Sequence, residues 1–376
     1  MHGRGATSAP PPTPSTQQSD NLLSTSASAD ALSRMLHRLP PTLSLPTLRA
    51  QAAMCPAIAA VSLSEARSNP ALLPSQLGFF QLTDHFIPSQ LADSAESEAL
   101  SLFDLPREKK EACFPRSSSW PVGFEEGDEV DDGVDGLGES FCLDESCYTE
   151  LSLASLRELS RGLEKVGLEM IELLCSSVGF ENPLGKNDPS STRFRSLMWV
   201  SEGLPGKSKS PVAGRFYPYV VGLQYQIRRG QKYSLLADSG WVSVLPQVES
   251  LLVTVGDIAQ VWSNGKLKKV RGRPVACLGE GNNKSRCISM SLLVTLPIDT
   301  RICPLVPVAA INGGDHDHED GSDRDGNEGD HQSSGGDEGE IEGRLFKSFC
   351  LEDYAWRVYH ERLHFKDPLD IFRIKN

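Results

Sequence analysis

Histidine is the side chain most used for proton transfer and metal ligation near neutral pH, and here it is scarce where a folded body would need it. The chain has eight, and His85 is the only one between residues 50 and 311. His316, His318 and His331 lie in a Gly/Asp-rich run, where they could hold a divalent cation weakly but imply no fixed geometry. His360 and His364 are four apart, the spacing of a ligand pair on one helix face, yet on a closing helix a packing or surface role is the plainer reading. His85 follows the apolar run GFFQL and precedes Pro88, which makes it a turn or core histidine. Eight carboxylates crowd residues 124–139 among glycines, but no spacing fits a calcium loop, so a solvated loop is expected. Nine scattered cysteines include no CxxC pair, and an odd count points to reduced thiols.

The elements that must position any site follow from periodicity. Leu156, Leu159, Leu163, Val166, Met170 and Leu173 recur at spacings of three and four, which predicts one amphipathic helix over 155–178 with Gly179 as its C-cap. A shorter helix is expected over 90–103, and Tyr354, Val358 and Leu363 suit a closing one. From residue 191 the texture changes to short β-prone runs: RFRSLMWV, RFYPYVVGLQYQI, KYSLLA, WVSVL, SLLVTV, IAQVWS, KLKKV and CISMSLLVTL. Eight such runs between turn residues predict strands of a double-layered barrel. Asn264-Gly265 lies between two of them, and both residue types tolerate positive φ, so a hairpin turn is expected there.

Charge is unevenly spread. The net −13 is almost all contributed by 315–342, where twelve acidic residues face one basic residue, Arg324. The remainder is near neutral, which argues against a nucleic-acid-binding surface. No run reaches the roughly 18–20 apolar residues that span a bilayer. The organisation expected is a disordered Ser/Pro-rich tail over 1–50, a helix-and-strand region over 51–190, and a barrel over 191–308. A disordered acidic Gly/Asp/His insert over 309–343 and a closing helix over 344–376 complete it. The tail is poor in acids, as transit peptides are, but also sparse in arginine. A cytoplasmic location is therefore expected, with nucleus or plastid as alternatives.

The stretch GDIAQVWSNGKLKKV, residues 256–270, resembles the barrel signature of plant-type iron(II)/2-oxoglutarate dioxygenases, the isopenicillin N synthase-like superfamily. Gly78-Phe79-Phe80-Gln81 with Asp84-His85, Leu105-Pro106 with Glu108-Lys109-Lys110, 232–246, and the ending KDPLDIFRI are similar to other elements of that family. The resemblance implies a mostly β, α+β fold: a double-stranded β-helix (jelly-roll) barrel backed by the long helix. It also implies where chemistry would sit. The family holds iron on H-x-D and a later histidine, which leaves open positions for 2-oxoglutarate and O₂. The matching positions here are Tyr217, Tyr219 and Gly272, so no catalytic residue and no metal ligand is assigned. Where the family binds the co-substrate's carboxylate with R-x-S, this chain has Arg286 and Ser289 in R-x-x-S. An arginine fork suits a carboxylate, but that spacing sends the two side chains to opposite faces of a strand unless a bulge intervenes.

The resemblance thus implies a degenerate member of the superfamily. It would lack the iron triad and oxygenase activity and be retained as a ligand-binding or protein-interaction module, with no cofactor. The partner would be an unknown small molecule or protein, with neither nucleic acid nor membrane, and a basic partner is a candidate for 315–342. The alternative is an active oxidoreductase on a small plant metabolite such as a hormone or flavonoid, using iron(II) and 2-oxoglutarate through non-standard ligands.

Overall fold

The computed structural model describes residues 58–74, 76–116, 121–126, 139–147, 151–184, 193–203, 217–277, 286–306, 344–360 and 367–374. All lie in one unit, Met54–Asn376. The expected tail, the acidic insert, most of the 124–139 loop and His364 fall outside the described residues.

Two sheets make the body. The larger has eight strands in the order β1-β2-β9-β6-β11-β5-β4-β3 and the smaller has three, β10-β7-β8. Four strands precede the long helix: β1 (Ala60–Ser62), β2 (Phe79–Thr83), β3 (Gly123–Glu125) and β4 (Ser140–Leu143). The rest of the large sheet is β5 (Arg195–Gly203), β6 (Val221–Tyr225), β9 (Leu251–Val255) and β11 (Cys287–Thr295). The small sheet is β7 (Lys232–Ala237), β8 (Gly240–Val244) and β10 (Val270–Cys277). A third, two-stranded pairing joins β12 (Arg301–Ile302) to β13 (Phe349–Cys350). Mostly β with flanking helices, the architecture matches the jelly-roll, α+β expectation.

Side-chain alternation divides the large sheet into two faces. Met198 and Val200 of β5, Leu223 of β6, Val253 of β9, and Met290, Leu292 and Val294 of β11 pack with the long helix in one core. That helix, α4 (Ala154–Val178), comes after α1 (Leu63–Ser68), α2 (Ser89–Phe103) and α3 (Arg107–Cys113). Its buried residues include the whole expected stripe, and Gly179 ends it in the left-handed conformation. The opposite face looks into the barrel. Phe79 and Leu252 there pack against Tyr233, Leu235, Val244 and Val270 of the small sheet. Leu197, Trp199 and Leu293 pack with Val122, Cys142, Tyr217 and Tyr219.

Three expectations fail in the signature stretch. The run IAQVWS is not a strand: Asp257–Trp262 forms a short helix, α5, entered from extended Gly256. Gln260 N donates to Gly256 O and Ser263 N to Ala259 O. Every residue of this helix is buried, so its apolar pattern carries no period to separate helix from strand. Asn264 and Gly265 do adopt positive φ, at 49° and 83°, but their turn closes the helix and does not join two strands. KLKKV is likewise mostly not strand, because β10 begins only at Val270. The closing helix is α6 (Leu351–His360), with Tyr354 and Val358 buried. No helix among the described residues is long and apolar enough to cross a membrane.

Candidate functional site

The barrel interior is built around the loop that leads into β6. Two neighbours pin it: Val220 N donates to Val294 O at 2.8 Å, and Gly256 N donates to Val220 O at 2.9 Å. Ile258 N, at the start of α5, donates to Tyr219 O at 3.2 Å. Gly256 is required by this seating, because a Cβ there would fall inside the van der Waals envelope of the Tyr219 carbonyl oxygen. The Gly256-Asp257 pair of the signature is thus the shelf on which Tyr219 rests.

Fully buried Tyr219 crosses to the small sheet. Its hydroxyl is 2.8 Å from Val270 O, 3.1 Å from Gly272 O and 3.2 Å from Thr254 Oγ1. A phenol has one proton to donate, so the shortest contact, to Val270, takes most of it. Burial pushes the Tyr219 pKa well above its ordinary value, against a smaller opposing effect of Thr254. Tyr217 is also buried, with its ring 6.2 Å from that of Trp199, and burial pushes its pKa up to about 12 despite the nearby Arg195. Arg195 is held by Asp144 at 2.6 Å.

Gly272 marks a break in β10. Its φ is +68°, and the pairing of β10 with β7 shifts register between Arg271 and Val275. A residue in this conformation bends a strand and re-aims the next side chain. In this chain that side chain is Arg273. Its guanidinium lies 4.5 Å from the Trp199 ring centroid, and Nη1 donates to Ser201 Oγ at 3.0 Å. Burial lowers its pKa to about 10, with Glu125 and Cys142 opposing, so it stays protonated at neutral pH.

The expected site residues therefore separate. Tyr217, Tyr219 and Gly272 come together around the barrel interior. Ser289 joins them, since it is the register partner of Ser201 on the inward face of β11. Arg286 does not. The β11–β5 register runs unbroken from Cys287 to Thr295, so no bulge turns Arg286 inward. It is paired instead with Glu202 and Asp104, and its side chain is 36% exposed. Inspection of the sequence also missed Arg273 and its neighbours Trp199 and Ser201. The available signal was the glycine inside a strand, which commonly marks a bulge.

Among the described residues, those at the expected metal positions do not fit iron(II). Both phenols are held protonated by burial, and neutral phenol is a poor ligand for iron(II). Gly272 offers no side chain. His85 is used elsewhere: its ring nitrogens meet Glu249 O at 2.9 Å and Ile87 N at 3.2 Å. Burial lowers its pKa, so it is a neutral core histidine donating through Nε2 and accepting through Nδ1. That is the role its sequence context suggests.

Residues 74–157 match the family model for the non-haem dioxygenase in morphine synthesis N-terminal region. Gibberellin 2-beta-dioxygenase 1 of Pisum sativum is 24% identical over 245 residues, covering 61% of this chain and 72% of that protein. Gibberellin 2-beta-dioxygenase 4 of Arabidopsis thaliana is 25% identical over 316 residues, covering 79% and 87%. Among solved structures, JOX2 in complex with 2OG, Fe and JA superposes with a TM-score of 0.60 at 14% identity, covering 85% of this chain and 89% of that one. The dioxygenase for auxin oxidation of rice gives 0.57 at 18%, covering 84% and 100%. These likenesses show the oxygenase fold and support kinship with the 2-oxoglutarate/iron(II) oxygenase superfamily.

Proposed function

We propose that this oxygenase-fold chain has lost iron binding and oxygenase chemistry, and that it is retained as a ligand-binding or protein-interaction module. The observation that carries the reading is the Tyr219 hydroxyl resting on the carbonyl oxygens of Val270 and Gly272. A neutral phenol satisfied by backbone acceptors stands in the region where a cation would need anionic or imidazole donors. The scarcity of histidine supports the same conclusion, because His85 is the only one between residues 50 and 311 and it serves the core. The proposal extends to a cytoplasmic setting, supported by the free state of Cys113, Cys142, Cys147, Cys175, Cys303 and Cys350.

The test is direct. The purified full chain is dialysed against iron(II) under anaerobic conditions, and bound metal is measured. Release of CO₂ from carboxyl-labelled 2-oxoglutarate is then followed in air, with and without candidate plant metabolites. Neither stoichiometric iron nor decarboxylation above a protein-free control is expected. Stoichiometric iron together with 2-oxoglutarate turnover would establish an active oxidoreductase and overturn the proposal.

A further inference from the structure

We propose that Arg273 anchors a binding site for a small organic carboxylate inside the barrel, with Ser201 and Ser289 beside it and Trp199 as its wall. This rests on the proposed loss of iron chemistry in one respect: the interior serves binding, not oxygenation.

Arg273 is charged and incompletely satisfied. A guanidinium carries five N–H donors, and among the described residues this one makes a single hydrogen bond, to Ser201 Oγ. Among the described residues Arg273 makes no ion pair, and Glu125 acts on it electrostatically. Glu125 instead accepts a hydrogen bond from Tyr359 Oη at 3.0 Å. The other inward-leaning arginine, Arg195, is neutralised by Asp144, so the contrast is between neighbours in one barrel. A cation partly withdrawn from water without a counter-ion is costly, and an anionic ligand would supply the missing charge.

Arg273 is also reachable. Desolvation is strong enough to lower its pKa, yet the residue is only partly buried. The groups around the guanidinium suit an organic acid more than a bare inorganic ion. Trp199 belongs to an apolar cluster with Leu197, Leu293, Val122 and Cys142, while Ser201 and Ser289 are register partners across the β5–β11 ladder. Ligand sites are commonly of this kind, apolar with a few convergent polar groups. The guanidinium carbon lies over the Trp199 ring, which restricts the movement of Arg273, and its planar fork suits a bidentate carboxylate. Nothing in this recognition uses Arg286, which is held on the other face of β11 by two carboxylates.

The full chain is titrated with phenylacetate, 2-oxoglutarate and inorganic phosphate, following calorimetric heat and tryptophan fluorescence. At least one carboxylate is expected to bind with a Kd of about 1 mM or tighter. Arg273→Met should weaken it by about ten- to a hundredfold, as expected for a lost charge-assisted pair. Arg273→Lys keeps the charge and loses the fork, so it guards against misfolding of the methionine variant and should weaken binding less. The surface variant Arg107→Ala should bind as the parent does. Absence of carboxylate binding in the parent, binding of phosphate alone, or loss of binding in Arg286→Ala with Arg273→Met unaffected would each overturn the assignment. If iron-dependent 2-oxoglutarate turnover is found, the proposed loss of oxygenase chemistry falls, and the Arg273 site is then decided by this titration alone.

Discussion

Lys269 Nζ lies 2.7 Å from Asp367 Oδ1, a contact that spans 98 residues and ties the end of the signature stretch to the KDPLD segment near the C-terminus. The lysine side chain is 0% exposed, and it also meets Asp257 Oδ1 at 2.9 Å. One buried ammonium thereby holds α5 to the closing segment. Asp367 uses the same Oδ1 to cap the last short helix, accepting from Leu369 N at 3.0 Å.

Replacing Lys269 by Met leaves two buried carboxylates without their cation. Removing one partner of a buried pair typically costs about 3–5 kcal/mol. Urea denaturation of Lys269→Met should therefore show a large loss of stability at neutral pH. A double variant separates charge loss from packing loss. Adding Asp367→Asn to Lys269→Met should recover part of the loss, because it removes one of the stranded charges.

Stability should fall on acidification, in two steps with separate origins. Burial alone would raise the Asp367 carboxyl, but Lys269 and its hydrogen bonds outweigh burial and hold it below its ordinary 3.8. A depressed carboxylate contributes stability that is present above the ordinary value and lost as pH falls through the folded-state one. His85 behaves alike from the cationic side. Its pKa is lowered from 6.5, chiefly by burial, so the unfolded chain takes up the proton first. Its contribution is lost as pH drops below 6.5 towards the lower folded value. Thermal melts from pH 8 to pH 3 should decline first in the histidine range and again below about 4. His85→Gln should flatten the first step and leave the second.

Gly256→Ala should be among the most damaging single changes outside the helical core. The added Cβ would collide with the Tyr219 carbonyl oxygen, which is backbone and cannot rotate away. The expected cost is about 3 kcal/mol or more, from overpacking and from displacement of Tyr219. Near-ultraviolet circular dichroism provides a check, because displacing Tyr219 should alter the aromatic signal of the barrel before the helix signal declines.

Much of this architecture was legible in the sequence, and the failures have physical causes. The α4 stripe was readable because one face is buried and the other solvated, which imposes a period. Strands β5, β6, β9 and β11 were readable as short runs between turn residues, whereas β3 and β4 were not, and the buried Phe124 and Glu125 of β3 correct the solvated loop expected from residue 124. Asp257–Trp262 was not, because full burial erases the period that separates helix from strand. Of the residues singled out from the sequence, Tyr217, Tyr219, Gly272 and Ser289 lie towards the barrel interior. Arg286 was singled out by its spacing from Ser289, but its position on the strand turns it away, towards Glu202 and Asp104. Arg273 stayed hidden because a regular strand would not bring it inward; only the positive φ of Gly272 does.

That backbone angle makes the site hard to undo. Writing a histidine at position 272 would not be neutral, because the strand there has φ +68°, where a side chain with a Cβ is strained by about 1–2 kcal/mol. Relieving the strain would straighten β10, withdraw Arg273 from Trp199 and Ser201, and remove the acceptors that hold the Tyr219 hydroxyl.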